Sequence, residues 1–244
     1  MSAMEIEGAS FARGLMAAAR ADARAERSVR AGTTRRAHKP VRGRTIISGA
    51  GKSSGFVDYA TGIIYPDDDT TNVALAFTCA QGASTQQRIG RKIKVLSAYV
   101  KAEWNGPTAT GVTTESSRVA LVWDNAPGSS LPASTDIYVT AGDISHTNEN
   151  GMSRFSILKE FRMTTVGNTT DGTAQANWAA NMKPKLVKIN RNVVYGTAGT
   201  GAIGDIQKGA LYLVYMSDST AASADAQKNA LLFNIRVRFA DLLA

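Results

Sequence analysis

Residues 231–239 read LLFNIRVRF, and their side chains alternate between apolar and polar. The apolar positions are Leu231, Phe233, Ile235, Val237 and Phe239, and the polar positions between them include Asn234, Arg236 and Arg238. In an extended chain successive side chains point to opposite faces, so this period of two places one set in a core and the other in water. The stretch therefore predicts a half-buried β-strand.

Six other segments show the same period or a short run of β-branched and aromatic residues. They are 73–80, 92–104, 118–123, 154–165, 185–190 together with 193–195, and 210–216. Segment 210–216 is apolar throughout, which predicts a position in the middle of a packed sheet. In 92–104 the apolar phase changes from odd to even numbers, which predicts a β-bulge near Leu96.

An eighth strand is predicted either at 44–48 or at 56–65. No helical pattern alternates with the strands, so a doubly wound α/β fold is disfavoured. The sequence predicts an all-β protein, a single jelly-roll β-sandwich of about eight strands with a basic, partly helical N-terminal arm. The long segments 124–153 and 166–184 are candidates for subunit contacts or an exposed outer surface, and 132–139 is a candidate for a short helix.

The positive charge of the chain is concentrated near its N-terminus. The 244 residues contain 28 Lys and Arg against 20 Asp and Glu, a formal net charge of +8. Residues 1–52 hold eleven basic and four acidic residues, so they account for +7 of this charge. This distribution is typical of an arm that meets a polyanion. We divide the chain into a basic, nucleic-acid-binding arm, 1–52, and a nearly neutral jelly-roll domain, 53–244.

The arm itself has two parts. Residues 10–30 are rich in Ala, Leu, Met and Arg, which predicts a helix with a stripe of Arg side chains on one side. Residues 31–52 mix basic residues with Gly, Thr and Pro, which is typical of a segment that orders only on binding. The phosphate contacts predicted from both parts are Arg13, Arg20, Arg24, Arg27, Arg30, Arg35, Arg36, Lys39, Arg42 and Arg44. A nuclear-import signal at 35–44 is compatible with this role.

Few residues are available for catalysis. The chain has one cysteine, Cys79, and two histidines, His38 and His146. These numbers exclude a disulfide framework and a zinc finger, and they leave few candidates for a general base. A G-x-G-x-x-G match at 199–204 precedes a predicted strand, whereas the dinucleotide-binding motif must follow one. We therefore expect that the protein is not an enzyme.

Asp67, Asp68 and Asp69 form a compact carboxylate cluster after Pro66. Such a cluster could bind a hard cation such as Ca²⁺, although three acids in a turn are more often solvated. No other cofactor is expected. No apolar run approaches the roughly 20 residues that a transmembrane helix needs, so no membrane insertion is expected.

A Gln-Gly element leads into the bulged strand. Gln81-Gly82 is followed, after four residues, by Gln87-Arg88-Ile89-Gly90. This element resembles one in the coat proteins of the satellite tobacco necrosis virus group and of the small circular single-stranded DNA viruses, the geminivirus-like group. The similarity continues in the same order through RVALVWD at 118–124, RFSILKEFRMT at 154–164 and GALYLVYMSD at 209–218. The similarity in sequence pattern covers about 70–244. The arm is similar only in being basic.

The resemblance implies a viral coat protein. It implies a jelly roll, about sixty copies in a T=1 icosahedral shell, and an arm that points inward at a small single-stranded genome. RNA and DNA both stay open, because both kinds of virus use this coat. The implied location is the virion, and also the host nucleus during assembly if the genome is DNA; the sequence does not identify a host receptor. The satellite group binds Ca²⁺ at subunit contacts, but its ligands have no residue-by-residue match here.

Two other functions are weighed against the composition of the chain. A non-viral nucleic-acid-binding β-sandwich oligomer would carry basic or aromatic residues on an exposed strand face, whereas 53–244 is nearly neutral. A jelly-roll enzyme of the cupin type would need a histidine-rich metal site, which two histidines cannot supply. Arg88 also has two interpretations, a phosphate contact or a structural residue that fixes a turn by pairing with backbone or a carboxylate.

Overall fold

The computed structural model describes residues 54–109, 114–166, 179–220 and 222–242. All of them lie in the second of the two units, 1–49 and 50–244, into which the chain divides. Among these residues no helix is both long enough and apolar enough to cross a membrane. The strands they form are arranged in two antiparallel sheets.

Nine strands account for nearly all the regular structure of the described residues. Their bounds are Ser54–Ala60 (β1), Val73–Leu75 (β2), Lys92–Asn105 (β3), Thr114–Asp124 (β4), Phe155–Val166 (β5), Ala179–Tyr195 (β6), Ile206–Lys208 (β7), Ala210–Ser217 (β8) and Ala230–Asp241 (β9). One short helix, α1, spans Ser134–Ile137, and 3₁₀ turns span Glu149–Gly151, Ile203–Asp205 and Asp225–Gln227. The helix confirms the prediction for 132–139.

The strand order is that of a jelly roll. One sheet has the order β1-β9-β3-β6-β7 and the other the order β2-β8-β4-β5. Consecutive strands lie in opposite sheets except for the pairs β4–β5 and β6–β7. Because the chain crosses between the sheets at almost every connection, the two inner faces share one core. The predicted all-β jelly-roll sandwich is confirmed.

The stretch LLFNIRVRF lies in β9, between β1 and β3. Ile235 and Val237 are completely buried, whereas Arg236 and Arg238 point away from the core. Phe233 packs edge-on against Trp104 with 5.2 Å between ring centroids, a favourable geometry for two aromatic rings. The alternation that predicted the strand thus corresponds to one buried and one exposed face.

Strand β3 contains the predicted bulge. Its pairing with both β6 and β9 shifts in register between Val95 and Ser97. The extra residue, Leu96, is 39% exposed, while Val95 and Ala98 on either side are fully buried. The bulge keeps both halves of the strand facing the core although their apolar phases differ.

Two strands differ in length from their predictions. Strand β6 begins at Ala179, not at 185, and its register with β3 shifts between Met182 and Lys185. Pro184 lies at this shift, where the missing N–H costs no ladder hydrogen bond. The prediction for 73–80 is wrong in its second half, because only Val73–Leu75 is a strand. At the end of the predicted segment, the carbonyl of Cys79 accepts a hydrogen bond from the Arg88 side chain and that of Ala80 one from the Arg88 backbone N–H.

The remaining predictions for strands have mixed outcomes. Of the two candidates for an eighth strand, 56–65 overlaps β1, and 44–48 lies outside the described residues. Strand β8 lies between β2 and β4 and is buried along nearly its whole length, as its apolar sequence predicts. Strand β7 has three residues, too few for a two-residue period to be recognised.

Arg88 is fully buried and structural. Its Nε donates to the carbonyl of Cys79 at 3.1 Å, its Nη1 to the carbonyl of Gly90 at 2.9 Å, and its Nη2 to Oδ2 of Asp205 at 3.1 Å. The guanidinium carbon lies 4.0 Å from the centroid of the Tyr195 ring. All three nitrogens therefore have partners, which is the condition for keeping this cation out of water.

Asp205 extends this network into the connection between β6 and β7. Its two carboxylate oxygens accept hydrogen bonds from the backbone N–H groups of Ala198 at 3.1 Å and Gly201 at 3.3 Å. Gly201 has φ +74°, and a Cβ there would lie 2.7 Å from the carbonyl carbon of Cys79. Only glycine combines this conformation with this close approach. Gly201, the middle glycine of the match at 199–204, therefore has a structural role.

We predict that Arg88→Met lowers the free energy of unfolding by about 3–5 kcal/mol, because Asp205 would remain as a buried charge without its cation. The double variant Arg88→Met/Asp205→Asn should recover part of the loss, since it removes both charges. Urea unfolding measures both effects.

The matched control is Arg236→Met, which breaks the exposed ion pair between Arg236 and Asp58. This variant should change stability far less, because exposed pairs contribute little. Equal losses for Arg88→Met and Arg236→Met would show that the buried guanidinium does not hold the fold.

Candidate nucleic-acid interface

The ten arm residues predicted as phosphate contacts, from Arg13 to Arg44, lie outside the described residues. Their role stays a prediction. Within 54–242 the structure allows a different question, which is how the charged residues of the jelly roll are distributed over its two sheets.

The five-stranded sheet is strongly basic. Its strands carry ten basic and three acidic residues, a formal net charge of +7. The basic ones are Lys92, Lys94, Lys101, Lys183, Lys185, Lys188, Arg191, Lys208, Arg236 and Arg238, and the acidic ones are Asp58, Glu103 and Asp241. The four-stranded sheet carries three of each sign and is neutral. The excess positive charge of the jelly roll therefore belongs to one sheet.

Most of these cations lie on the exposed face of the five-stranded sheet. Its inner face is apolar, so side chains such as Lys101, Lys188 and Arg238 alternate with core residues and point outward. Arg236 is paired with Asp58, with both oxygens accepting at 2.7 Å. Asp241 is buried. Little negative charge is left on this face to neutralise the lysines.

The expectation of a nearly neutral jelly roll is correct for the summed charge of 53–244. It does not describe how that charge is distributed over the surface. The rest of 53–244 holds seven basic and thirteen acidic residues, which conceals the excess on the sheet. A basic exposed strand face was expected only of the non-viral alternative. The spacing of Lys and Arg within the predicted strands indicates that they share the outward side of each strand. Whether those strands are neighbours in one sheet depends on the strand order, which the sequence does not give.

The acidic turn at Asp67–Asp69 is partly used in local structure. Oδ2 of Asp67 accepts from Nζ of Lys228 at 2.8 Å, and its Oδ1 accepts from Nδ2 of Asn72 at 2.6 Å. Partial burial raises the pKa of Asp67, but the hydrogen bonds from Lys228, Asn72 and the Asp69 backbone outweigh it and lower the pKa. In the described part of the chain no three His, Cys, Asp or Glu side chains converge as a metal site would require. The calcium hypothesis gains no support from this geometry.

Glu115 is a buried carboxyl at the start of β4, 2% exposed. Its Oε1 accepts hydrogen bonds from the hydroxyls of Ser217 and Ser219, both at 2.8 Å. Its Oε2 is buried without a hydrogen-bond partner among the described residues. Burial raises the pKa of Glu115; the nearby Asp218 carboxylate raises it further, while the two serine hydroxyls lower it. The net shift favours the protonated form.

Cys79 is likewise buried and is not poised for chemistry. It is completely inaccessible, and its thiol lies 3.7 Å from the carbonyl of Gln86. Burial raises the pKa of the Cys79 thiol to about 12, with Arg88 acting in the opposite direction. A thiol of this kind is protonated at neutral pH and is a poor nucleophile. Cys79 is therefore a small core residue.

The comparison with protein families decides what the molecule is. The model of the geminivirus coat protein/nuclear export factor BR1 family matches residues 9–243, nearly the whole chain. The chain belongs to this family. The predicted resemblance to geminivirus-like coat proteins is confirmed. A comparison with curated proteins finds no match.

The coat protein is also similar to solved viral structures. A Desmodium yellow mottle tymovirus chain has 17% sequence identity and a TM-score of 0.32, with 80% of this chain and 84% of that chain covered. The BFDV capsid protein, solved as a 60-mer, has 9% identity and a TM-score of 0.29, with coverage of 78% and 92%. Mud crab tombus-like virus has 10% identity and a TM-score of 0.28, with coverage of 79% and 81%. The assignment rests on the family match.

Membership of this family makes the role of the protein structural. It is a viral coat protein and not an enzyme, as the scarcity of histidine and cysteine predicts. The coat protein acts in the virion and associates with copies of itself. The non-viral alternative is set aside.

We predict that the coat protein loses the contribution of Glu115 to stability as the pH rises. Because the folded-state pKa of Glu115 lies above its unfolded value, its contribution is full below the unfolded pKa and is lost as the pH rises through the folded pKa. Glu115→Gln, which mimics the protonated form, should therefore melt at a higher temperature than the parent at neutral pH and at a similar temperature in acid.

Glu149→Gln is the control for this experiment, because Glu149 is exposed. It should shift melting little at either pH. A Glu115→Gln variant that is less stable than the parent at neutral pH would mean that the carboxylate form is the one the fold prefers.

Proposed function

We propose that the coat protein assembles about sixty copies into a T=1 icosahedral shell and packages a small single-stranded genome through its N-terminal arm. The arm residues that contact phosphate are Arg13, Arg20, Arg24, Arg27, Arg30, Arg35, Arg36, Lys39, Arg42 and Arg44. The observation that carries the proposal is the segregation of charge, because residues 1–52 hold +7 of the net +8 of the chain.

The packaging mechanism is electrostatic. About sixty arms would bring about 420 positive charges into the shell, and each phosphate that they neutralise releases condensed counterions. Binding driven in this way is sensitive to salt and largely indifferent to sequence. Nine of the eleven basic residues in the arm are Arg. Its planar guanidinium donates two parallel hydrogen bonds to one phosphate, which Lys cannot do.

The genome that we propose is DNA. The matched family is the geminivirus coat protein/nuclear export factor BR1 family, and the resemblance of the sequence to coat proteins of the geminivirus-like group implies a circular single-stranded DNA genome. A DNA genome is consistent with assembly in the host nucleus, and the basic stretch at 35–44 is consistent with nuclear import. The same arm would then serve two steps, import of the protein and retention of the genome.

We predict that Arg20→Glu/Arg24→Glu/Arg27→Glu reduces the nuclease-protected nucleic acid per particle several-fold. The three substitutions change the charge of each arm by six units and place repulsive groups along the predicted helical stripe. The measurements are the ratio of absorbance at 260 and 280 nm after nuclease treatment and the particle yield by electron microscopy.

The control is the corresponding triple Lys variant, which keeps the charge and should package nearly as much nucleic acid. Melting temperatures should be similar for all three proteins. Unchanged packaging by the Glu variant would contradict the role of this stripe, and a large loss of stability would mean that residues 20–27 belong to the fold.

Deletion of 1–44 should leave a folded jelly roll, because all the described strands begin after residue 53. The truncated protein should retain its far-ultraviolet circular dichroism spectrum and its cooperative melting while protecting far less nucleic acid. If the truncated protein fills its shells as completely as the full chain does, the arm is not the packaging element.

A further inference from the structure

A basic cavity lies at one end of the five-stranded sheet. It has a volume of about 460 Å³ and is lined by four cationic side chains, three asparagines and no carboxylate. The cations are Lys92 and Lys94 of β3, Arg191 of β6 and Lys208 of β7. We call this cavity with its four cations the basic pocket. A single strand contributes at most two of the cations, so the pocket exists only in the folded sheet.

The cations of the basic pocket have no carboxylate partner in the part of the chain that the structure describes. Among the described residues no ion pair joins any of the four to a carboxylate. Arg191 instead lies over the indole of Trp123, with the guanidinium carbon 5.7 Å from the ring centroid. Trp123 is almost completely buried, so it serves as a fixed wall rather than as an exposed stacking surface. The contact orients Arg191 and leaves its charge uncompensated.

The basic pocket lies close to the place where the arm enters the sheet. Ser54, the first residue of β1, is paired with Ala240 of β9, which is paired with Lys94, which is paired with Asn192 of β6. Adjacent strands are about 4.8 Å apart, so the backbones of Ser54 and Lys94 are separated by roughly 10 Å. Two residues further along the sheet, Lys92 pairs with Val194, and Val194 pairs with Lys208. A polyanion bound beside Ser54 would lie within reach of both rows.

We propose that the basic pocket is a second phosphate-binding site of the coat protein, formed by the jelly roll itself, for the backbone of the same single-stranded nucleic acid. The inference rests on the proposed function of the arm and extends it to residues that no arm pattern predicts. Lys92, Lys94 and Lys208 provide point charges for successive phosphates, and Arg191 a pre-oriented guanidinium. The three asparagine amides can donate to phosphate or sugar oxygens.

The composition of the pocket favours nucleic acid over a second copy of the chain as its partner. Lysine is depleted at protein–protein interfaces, yet seven of the ten basic residues in this sheet are lysines. An acidic surface of a neighbouring subunit is the competing partner, because the rest of the jelly roll is net negative. No exposed aromatic side chain lines the pocket, so contact with phosphate rather than with bases is expected, without sequence preference.

The test compares the salt dependence of DNA binding between full-length variants. Each protein, freed of its own nucleic acid, is titrated with a short fluorescent oligodeoxythymidylate over a series of salt concentrations. For single strands the slope of log K against log salt is about −0.7 per phosphate contact, so Lys92→Gln/Lys94→Gln/Lys208→Gln should make it less steep by about 2. These lysines are exposed or half-buried, so melting temperature should change little.

Two controls isolate the charge of the pocket. The triple variant Lys92→Arg/Lys94→Arg/Lys208→Arg keeps the charge and should keep the slope. Lys159→Gln removes an exposed cation from β5 of the neutral sheet and should also keep it. If the triple Gln variant melts at a much lower temperature, the three single variants replace it, each with an expected change in slope of about 0.7.

A parallel arm variant, Arg20→Gln/Arg24→Gln/Arg27→Gln, separates this proposal from the proposed function. A slope that changes for the arm variant but not for the pocket variant overturns the pocket and leaves arm-driven packaging intact. A slope that changes for neither overturns both. An unchanged slope together with loss of subunit association in sedimentation would assign the pocket to contacts between copies, and this too overturns the proposal.

Discussion

A guanidinium that is taken out of water must have a partner for every nitrogen, and this requirement fixes one end of the jelly roll. Arg88 meets it with the carbonyls of Cys79 and Gly90 and the carboxylate of Asp205. Cys79 and Gly90 lie nine and two residues from Arg88 in the segment between β2 and β3, whereas Asp205, in the β6–β7 connection, is 117 residues away. Their shared cation holds them together. Lys92 and Lys94 follow this network directly in the chain, at the start of β3.

The two faces of the five-stranded sheet are under different physical constraints. The inner face must pack against the other sheet, which restricts it to apolar residues such as Val95, Val100 and Ile235. The outer face is free of this restriction, so charge can accumulate there without disturbing the core. The sheet carries +7 while the remainder of 53–244 carries a net negative charge. A domain that is neutral as a whole can in this way present a strongly basic surface to one partner and an acidic one elsewhere.

The elements that could be predicted from sequence are those in which the alternation of apolar and polar residues extends over enough residues to be recognised. The alternation in 231–239 and the phase change near Leu96 both correspond to observed structure, because core packing imposes the same period on sequence and strand. The short β7, the early start of β6 and the end of β2 depend instead on pairing partners and on Arg88. The basic pocket likewise depends on which strands are paired. Its four cations come from three strands that become neighbours only through the jelly-roll order.

An arm and a rigid sheet contribute differently to holding a polyanion. The composition of 31–52 predicts a segment that orders on binding, so each of its contacts is opposed by the entropy lost in ordering. Lysines on paired strands start from a fixed backbone, so less freedom is lost for each phosphate bound. In the proposed packaging, a segment that orders on binding would suit capture of a long and flexible strand. The sheet has fixed spacing between Lys92, Lys94 and Lys208, which in the proposed packaging would suit placement of the strand against the shell wall after capture by the arm.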